Sequence, residues 1–325
     1  MSGNAFRVVF LDADTFGDLS LERFTLRWDS AVYGLSNPSQ VAERIEGCQA
    51  VVVNKVRLPG PLLRSPAAAN LKLIVVAATG TDNVDLETAR SRSIAVCNVP
   101  GYATQSVAQF AMALILELAC HVGSYSSLTR SGGWEESPMY TRLDFSIPEL
   151  CGKRLGIVGY GRIGKAVAAM GRSFGMEILV SDRPTSSGAV PPGRVAFREL
   201  LASADIVTLH CPLVAETQNL IDGRALALMK PAAFLVNTAR GGLVDEEALV
   251  EALRSGRLGG AALDVLSVEP PPKNHPILLA ARELDNLLVT PHCAWSAREA
   301  RERLLNEVEE NIQAFTEGRG INRVD

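Results

Sequence analysis

The sequence predicts an α/β protein of two domains, each a doubly wound parallel sheet, with the first domain discontinuous in the chain. Three observations carry that expectation. Short apolar runs recur as continuous blocks, the pattern of parallel strands covered on both faces, rather than as the alternation of half-exposed strands. A Gly-x-Gly-x-x-Gly turn that ordinarily opens a nucleotide-binding domain sits instead at Gly159 to Gly164, near the middle of the 325 residues, so something else is built first. The last helix follows a second sheet that is already complete, and its apolar stripe still needs a surface to cover.

In order along the chain, strands are expected at Arg7-Val8-Val9-Phe10-Leu11, Ala50-Val51-Val52-Val53, Leu73-Ile74-Val75-Val76 and Ile94-Ala95-Val96. After Pro100-Gly101, Thr104 to His121 reads as one long helix, most apolar over Val107 to Cys120. Leu155-Gly156-Ile157-Val158 then runs into the glycine turn and a helix over Arg162 to Ser173. Strand-like runs continue at Glu177 to Asp182, Ile206 to Leu209, Ala233 to Val236, Ala261 to Leu263 and Leu287 to Val289, with a helix at Glu246 to Ser255. This is the Rossmann-like signature. The final helix, Ser296 to about Glu317, aligns Leu304, Leu305, Val308, Ile312 and Phe315 on one stripe. Assigning it to the first domain gives residues 1–99 with 291–325 as one domain and 100–290 as the nucleotide domain. The crossovers fall near Val99 to Thr104 and Thr290 to Ala294, and ligands are expected in the cleft between.

Composition narrows the function. A chain of 325 residues exceeds what one hydrophobic core usually serves, and 47% hydrophobic residues suffice for two buried sheets. The net charge of −4 and the lack of any Lys or Arg block disfavour nucleic acid and anionic membrane as partners. Met1 to Asp18 does not resemble a leader peptide, and Val107 to Cys120 is too short to span a bilayer and carries Gln109 and Glu117. Six cysteines without a Cys-x-x-Cys pair read as reduced thiols of a cytoplasmic protein, with no metal site.

The glycines of the turn have separate tasks. Gly159 permits the sharp bend, Gly161 lets backbone approach a pyrophosphate, and Gly164 lets helix and strand pack closely, with Arg162 and Ile163 between them. Phosphate then meets free N–H groups at a helix N-terminus. Asp182 follows Gly164 by 18 residues, close to the ~20 expected of a carboxylate that binds ribose hydroxyls. It favours NAD(H) over the 2′-phosphorylated form, although Arg183 beside it could tolerate that phosphate. A hydride-transferring enzyme also needs a proton donor, for which histidine is the usual choice. There are four, His121, His210, His275 and His292. His210 and His292 both follow strands of the nucleotide domain, and position alone does not choose between them.

From about Val51 onward the chain resembles the D-isomer-specific 2-hydroxyacid dehydrogenase family. The resemblance rests on Thr79-Gly80-Thr81-Asp82-Asn83-Val84-Asp85, the glycine turn with Asp182, Leu209-His210-Cys211-Pro212-Leu213 with Thr217, and Val236-Asn237-Thr238-Ala239-Arg240-Gly241-Gly242. It continues through Ala262-Leu263-Asp264-Val265, Glu269-Pro270 and Pro291-His292. It implies an NAD-dependent enzyme that interconverts a small 2-oxo acid and its D-2-hydroxy acid. Arg240 would offer its planar donors to the substrate carboxylate and ketone. His292 would exchange the proton, with Glu269 fixing its tautomer and favouring imidazolium. Cofactor contacts would come from Cys211, Pro212, Thr217, Thr238, Ala239, Asp264 and Ala294 as well as the turn. Substrate contacts would come from Lys55, Ala78, Thr79, Gly80 and Trp295.

Asn54-Lys55, Trp295, Arg298-Glu299-Ala300-Arg301 and Trp134 are most similar to the glycerate dehydrogenase, or hydroxypyruvate reductase, branch; both tryptophans also read as packing residues. D-glycerate with hydroxypyruvate, or glyoxylate, is the substrate expected. The alternatives are another 2-oxo acid such as phosphohydroxypyruvate or pyruvate, and an NAD-sensing corepressor of the same fold. Formate dehydrogenases of this fold place glutamine where Glu269 stands, and adenosylhomocysteinase-like hydrolases carry lysine-rich C-terminal motifs not found here. The segment Gly123 to Leu150 is long for a linker and is expected to be the arm of a homodimer.

Overall fold

The computed structural model describes residues 6–183 and 188–325, so the Met1 to Asp18 stretch falls only partly within it. Two compact units are present, Met1–Ala103 with Ser296–Asp325, and Thr104–Trp295.

The first unit runs β1 (Arg7–Phe10), α1 (Glu22–Arg27), β2 (Asp29–Val32), α2 (Pro38–Ile45), β3 (Ala50–Val53), α3 (Gly60–Arg64), β4 (Leu73–Val76), α4 (Leu86–Ser91) and β5 (Ala95–Cys97). Its sheet has the order β2-β1-β3-β4-β5 and every pair is parallel. Val9, Val51, Ile74 and Val96 line one face against Val41 and Ile45 of α2 and Leu63 of α3. The apolar runs do not predict β2. Its Asp29-Ser30-Ala31-Val32 lies half-exposed at the sheet edge, where a strand needs no continuous apolar block.

The second unit begins with α5 (Thr104–Cys120) and α6 (Val122–Arg130). It continues through β6 (Arg154–Val158), α7 (Arg162–Ser173), β7 (Glu177–Val180), α8 (Phe197–Ser203), β8 (Ile206–Leu209), α9 (Gly223–Leu228), β9 (Phe234–Asn237), α10 (Glu246–Arg254), β10 (Gly260–Leu263), α11 (Pro276–Ala280) and β11 (Leu287–Val289). Six parallel strands lie in the order β11-β10-β9-β8-β6-β7, with Ile157 opposite Thr208, Thr208 opposite Val236 and Val236 opposite Ala262. The order reverses at β6, so the loops after β6 and β8 leave in opposite directions and open a crevice at the strand ends. Ala111, Met112, Ile115 and Leu118 of α5 pack with Val167 of α7 over Leu155 and Ile157. The opposite face is filled by Leu200, Leu209, Leu235, Leu249, Leu253 and Leu263. Each buried Leu, Ile, Val or Met among these stabilises its sheet by about 1.5–3 kcal/mol through burial.

The helix expected over Thr104 to His121 ends one residue early. His121 has φ 51°, a left-handed turn no helix continues through, and α6 leaves at 59° to α5. No single helix among the described residues is long and apolar enough to cross a membrane. Beyond α6 the segment is irregular and held by its own contacts: Trp134 Nε1 donates to Tyr140 O at 3.1 Å, and Arg142 pairs with Asp144 at 2.6 Å. Trp134 does not pack inside the chain and is 52% exposed.

The last helix, α12 (Arg298–Thr316), returns to the first unit and lies on β4, with Leu304, Leu305, Val308 and Ile312 buried. Its stripe is thereby covered, and the first domain is discontinuous. The tail beyond it closes the β5 edge, Val324 N–H donating to Val96 O at 2.9 Å and Asn98 N–H to Asn322 O at 3.1 Å.

Candidate active site

The turn after β6 shows why three glycines are needed. Gly159 has φ +98°, and a Cβ there would meet the Cys211 nitrogen at 2.5 Å. A Cβ at Gly164 would meet Gly159 O at 2.1 Å. Gly161 differs, because nothing lies within 4 Å of an added Cβ. The protein does not crowd that position; it leaves space in front of the uncapped N-terminus of α7, where a pyrophosphate fits. Asp182, buried and two residues past β7, has its backbone pinned by a bond from its N–H to Val195 O at 2.8 Å, while Arg183 is exposed.

Across the switch point, Thr217 fixes the Cys211-Pro212 turn, its Oγ1 donating to Pro212 O and accepting from Val214 N–H, both at 2.8 Å. After β9, buried Asn237 shapes the loop that bears Arg240, accepting from Ala239 N–H at 3.0 Å and donating to Arg240 O at 2.8 Å. Thr238 Oγ1 is buried with no partner in the protein, a hydroxyl left for a ligand. Arg240 is half-buried, with Nη1 donating to Ala239 O at 2.9 Å.

After β10, Asp264 is 1% exposed and spends both oxygens on one loop. Oδ1 accepts from Thr290 Oγ1 at 2.7 Å and Cys293 N–H at 2.9 Å, and Oδ2 from Ala294 N–H at 2.9 Å. His292 lies inside that loop at φ 51°, a left-handed conformation that persists only where its surroundings over-determine it. Its Nδ1 lies 2.6 Å from Glu269 Oε2, and Glu269 Oε1 accepts from Leu266 N–H at 2.9 Å. With Nδ1 engaged, Nε2 remains to face a substrate. Trp295 Nε1 donates to His292 O at 2.9 Å, bracing the same loop.

His210 is chemically different. Its Nε2 meets Thr208 Oγ1 at 3.0 Å, Nδ1 is sealed without a partner, and desolvation of the ring pushes its pKa down to about 4 even though the residue keeps some exposure. Burial thus keeps the His210 ring from becoming imidazolium, the form that gives up a proton most readily.

In the first unit, buried Asp12 gathers the loop after β3, accepting from the N–H groups of Asn54, Lys55 and Val56 at 2.9, 2.5 and 2.9 Å. The turn after β4 is held by Thr79 Oγ1 donating to Val99 O at 2.9 Å and Asn98 Nδ2 donating to Thr79 O at 2.8 Å. Lys55, Ala78, Thr79 and Gly80 therefore share the C-terminal ends of β3 and β4.

The profile of the D-isomer-specific 2-hydroxyacid dehydrogenase NAD-binding domain matches residues 112–294, more than half of the chain. The chain belongs to the D-isomer-specific 2-hydroxyacid dehydrogenase family. A glycerate dehydrogenase of Methylorubrum extorquens is 37% identical over 98% of this chain and 99% of its own. A hydroxypyruvate reductase of Blautia hydrogenotrophica is 35% identical over 98% and 99%. Among solved structures, a Thermus thermophilus protein covers 98% of this chain and 100% of its own, with a TM-score of 0.85 at 37% identity. Like the family, the chain is an NAD-dependent oxidoreductase of small 2-oxo acids, and the open space at Gly161 and the unpartnered Thr238 hydroxyl fit the nicotinamide dinucleotide that the family binds.

Within this dehydrogenase, residue patterns alone do not single out Asp12 or Asn237, because both act by collecting backbone groups of other segments. The available signal is positional: each is a polar residue at the end of an apolar strand, where the core has no use for it.

Proposed function

We propose that this dehydrogenase reduces hydroxypyruvate to D-glycerate with NADH, taking glyoxylate as a second substrate. The observation that carries the mechanism is the 2.6 Å contact of His292 Nδ1 with Glu269, set against a desolvated, neutral His210. The nicotinamide, when bound, supplies the hydride. Arg240 holds the substrate carboxylate and the ketone oxygen with its forked donors. His292 gives the proton on Nε2 to the ketone oxygen, which becomes the hydroxyl as the carbon is reduced, and is reprotonated from water. Glu269 keeps the ring turned and its tautomer defined. Asp264 acts on the chemistry through the loop it holds. Lys55 and the Ala78 to Gly80 turn are the first unit's candidate substrate donors.

Hydroxypyruvate is favoured by the Asn54-Lys55, Trp295 and Arg298 to Arg301 pattern and by the relatives with that activity in their names. The test is NADH oxidation with hydroxypyruvate, glyoxylate, pyruvate, phenylpyruvate and phosphohydroxypyruvate. The highest kcat/KM is expected with hydroxypyruvate, and a preference above 10-fold for phosphohydroxypyruvate would overturn the assignment. His292→Gln should lose ~10²–10⁴-fold in kcat; a fully active variant would remove His292 from the proton step.

We also propose a homodimer formed through the arm, whose Trp134, Tyr140, Leu143 and Ile147 are 52%, 91%, 78% and 52% exposed in the single chain. Sedimentation should give twice the chain mass at micromolar concentration, and a monomer would contradict it. A cytoplasmic location is proposed from the six cysteines, none paired among the described residues; recovery in a secreted fraction would refute it.

A further inference from the structure

We propose that Glu246 is a positioning residue that couples the Arg240 loop to the Glu269–His292 pair. The proposal rests on the roles given above to Arg240, Glu269 and His292. Three groups converge on the dipeptide Leu266-Ser267, across two successive peptide units. Gly241, next to Arg240, is seated directly on it: a Cβ there would lie 1.9 Å from Leu266 C and 2.3 Å from Ser267 N. Glu269 takes the N–H of Leu266 at 2.9 Å. Glu246 takes the N–H of Ser267 at 2.8 Å on Oε1 and its hydroxyl at 2.9 Å on Oε2.

Glu246 also grips the far end of the same loop. His275 Nε2 lies 3.4 Å from Glu246 Oε2, and both side chains are nearly buried, at 6% and 13% exposure. One carboxylate thus bonds the Glu269 loop two residues before that glutamate and contacts it six residues after. Between these anchors the loop carries Pro270, Pro271 and Pro272, which donate no backbone hydrogen bonds, and an exposed Val268. Glu246 itself opens α10, whose N-cap Asp245 accepts from Ala248 N–H at 3.1 Å. The helix that continues the Arg240 loop is in this way locked in register with the loop that aims Glu269 at His292. A misplacement of about 1 Å in such a constellation can cost ~10²-fold.

The test uses the full-length enzyme and the variants Glu246→Gln, Glu246→Ala, Ser267→Ala and Glu269→Gln. Glu246→Ala should lower kcat for the 2-oxo acid by at least 10-fold while NADH affinity, read by fluorescence titration, changes less than 2-fold. Glu246→Gln keeps an acceptor for Ser267 N–H and should restore most of the rate; Ser267→Ala should fall between. In a ¹⁵N-edited spectrum the His292 ring signal should shift in Glu246→Ala, although Glu246 does not touch it. If Glu246→Ala loses thermal stability but keeps kcat and the His292 signal, the residue is only structural and the proposal fails. If Glu269→Gln is fully active, the reading of the proton relay fails instead, and the His292 signal still reports whether Glu246 positions the loop.

Discussion

His210 and His292 both follow strands of the nucleotide-binding unit, and they differ in surroundings: the His292 ring meets Glu269, whereas the His210 ring is desolvated. The desolvated His210 ring is held neutral, with a folded-state pKa of about 4, whereas an unfolded histidine titrates near 6.5. Below about pH 6.5 the unfolded chain takes up a proton that the folded one refuses, so this group's contribution to stability is complete at neutral pH and is lost as pH falls toward 4. The full shift corresponds to about 3 kcal/mol, and about 2 kcal/mol of it should be gone at pH 5. His210→Gln retains a group able to reach Thr208 Oγ1 but cannot titrate. Urea unfolding of parent and variant from pH 8 to 4.5 should therefore show the variant gaining about 2 kcal/mol relative to the parent by pH 5, with all other groups cancelling in the difference. Because the chain has four histidines, single substitutions assign every imidazole signal, and the His210 signal should stay unmoved between pH 8 and 5. A His210 signal that titrates near pH 6.5, or parallel stability curves, would refute the argument and return His210 to the contest for the proton step.

Gly161→Ala should fold as the parent does, since its Cβ meets nothing within 4 Å, yet bind NADH at least 10-fold more weakly; Gly164→Ala, 2.1 Å from Gly159 O, should lose thermal stability. Equal NADH affinity for Gly161→Ala and the parent would place the pyrophosphate elsewhere. NADH should be preferred to NADPH because Asp182 accepts from a 2′-hydroxyl and repels a 2′-phosphate, and Asp182→Ala should narrow the ratio of specificity constants; equal constants in the parent would assign the stronger influence to Arg183. Arg240→Lys should lose substrate affinity and turnover together while NADH binding survives, a lysine being unable to reproduce the fork. A variant impaired only in NADH binding would move Arg240 to the cofactor. Lowering the pH should also weaken the Asp205 site. Burial raises that carboxyl, but bonds from Arg154 N–H and Lys230, both at 2.8 Å, bring it below its ordinary value, so its stabilisation is present above about pH 4 and fades as pH falls further. Asp205→Asn should accordingly be less stable than the parent at pH 7 and converge with it in acid.

Which parts of this molecule could be read from residues follows from what each residue answers to. Strands β3, β4 and β8 are buried on both faces, so Val51, Ile74 and Val207 had to be apolar and their runs announce them. Strand β2 answers only to an edge, and its Asp29 and Ser30 carry no such mark. Gly159 and Gly164 are legible because local backbone geometry excludes every other residue, whereas nothing in the protein crowds Gly161, and its glycine is read from the motif. Glu269 and His292 are harder: 23 positions apart, they meet through the pairing of β10 with β11 and the bonds of Asp264 to the loop that bears His292, and family resemblance, not spacing, joined them. Glu246 lies beyond both routes, since a carboxylate that gathers groups of a distant loop leaves little trace in its neighbours; Asp12 carries only the positional signal of a polar residue ending an apolar strand, and the resemblance names Asp264 but not the loop that it holds. Asp12 and Asp264 nonetheless hold the loops that bear Lys55 and His292, as Asn237 holds the one that bears Arg240, so mutational tests confined to Lys55, Arg240 and His292 would miss the residues that fix where those side chains point.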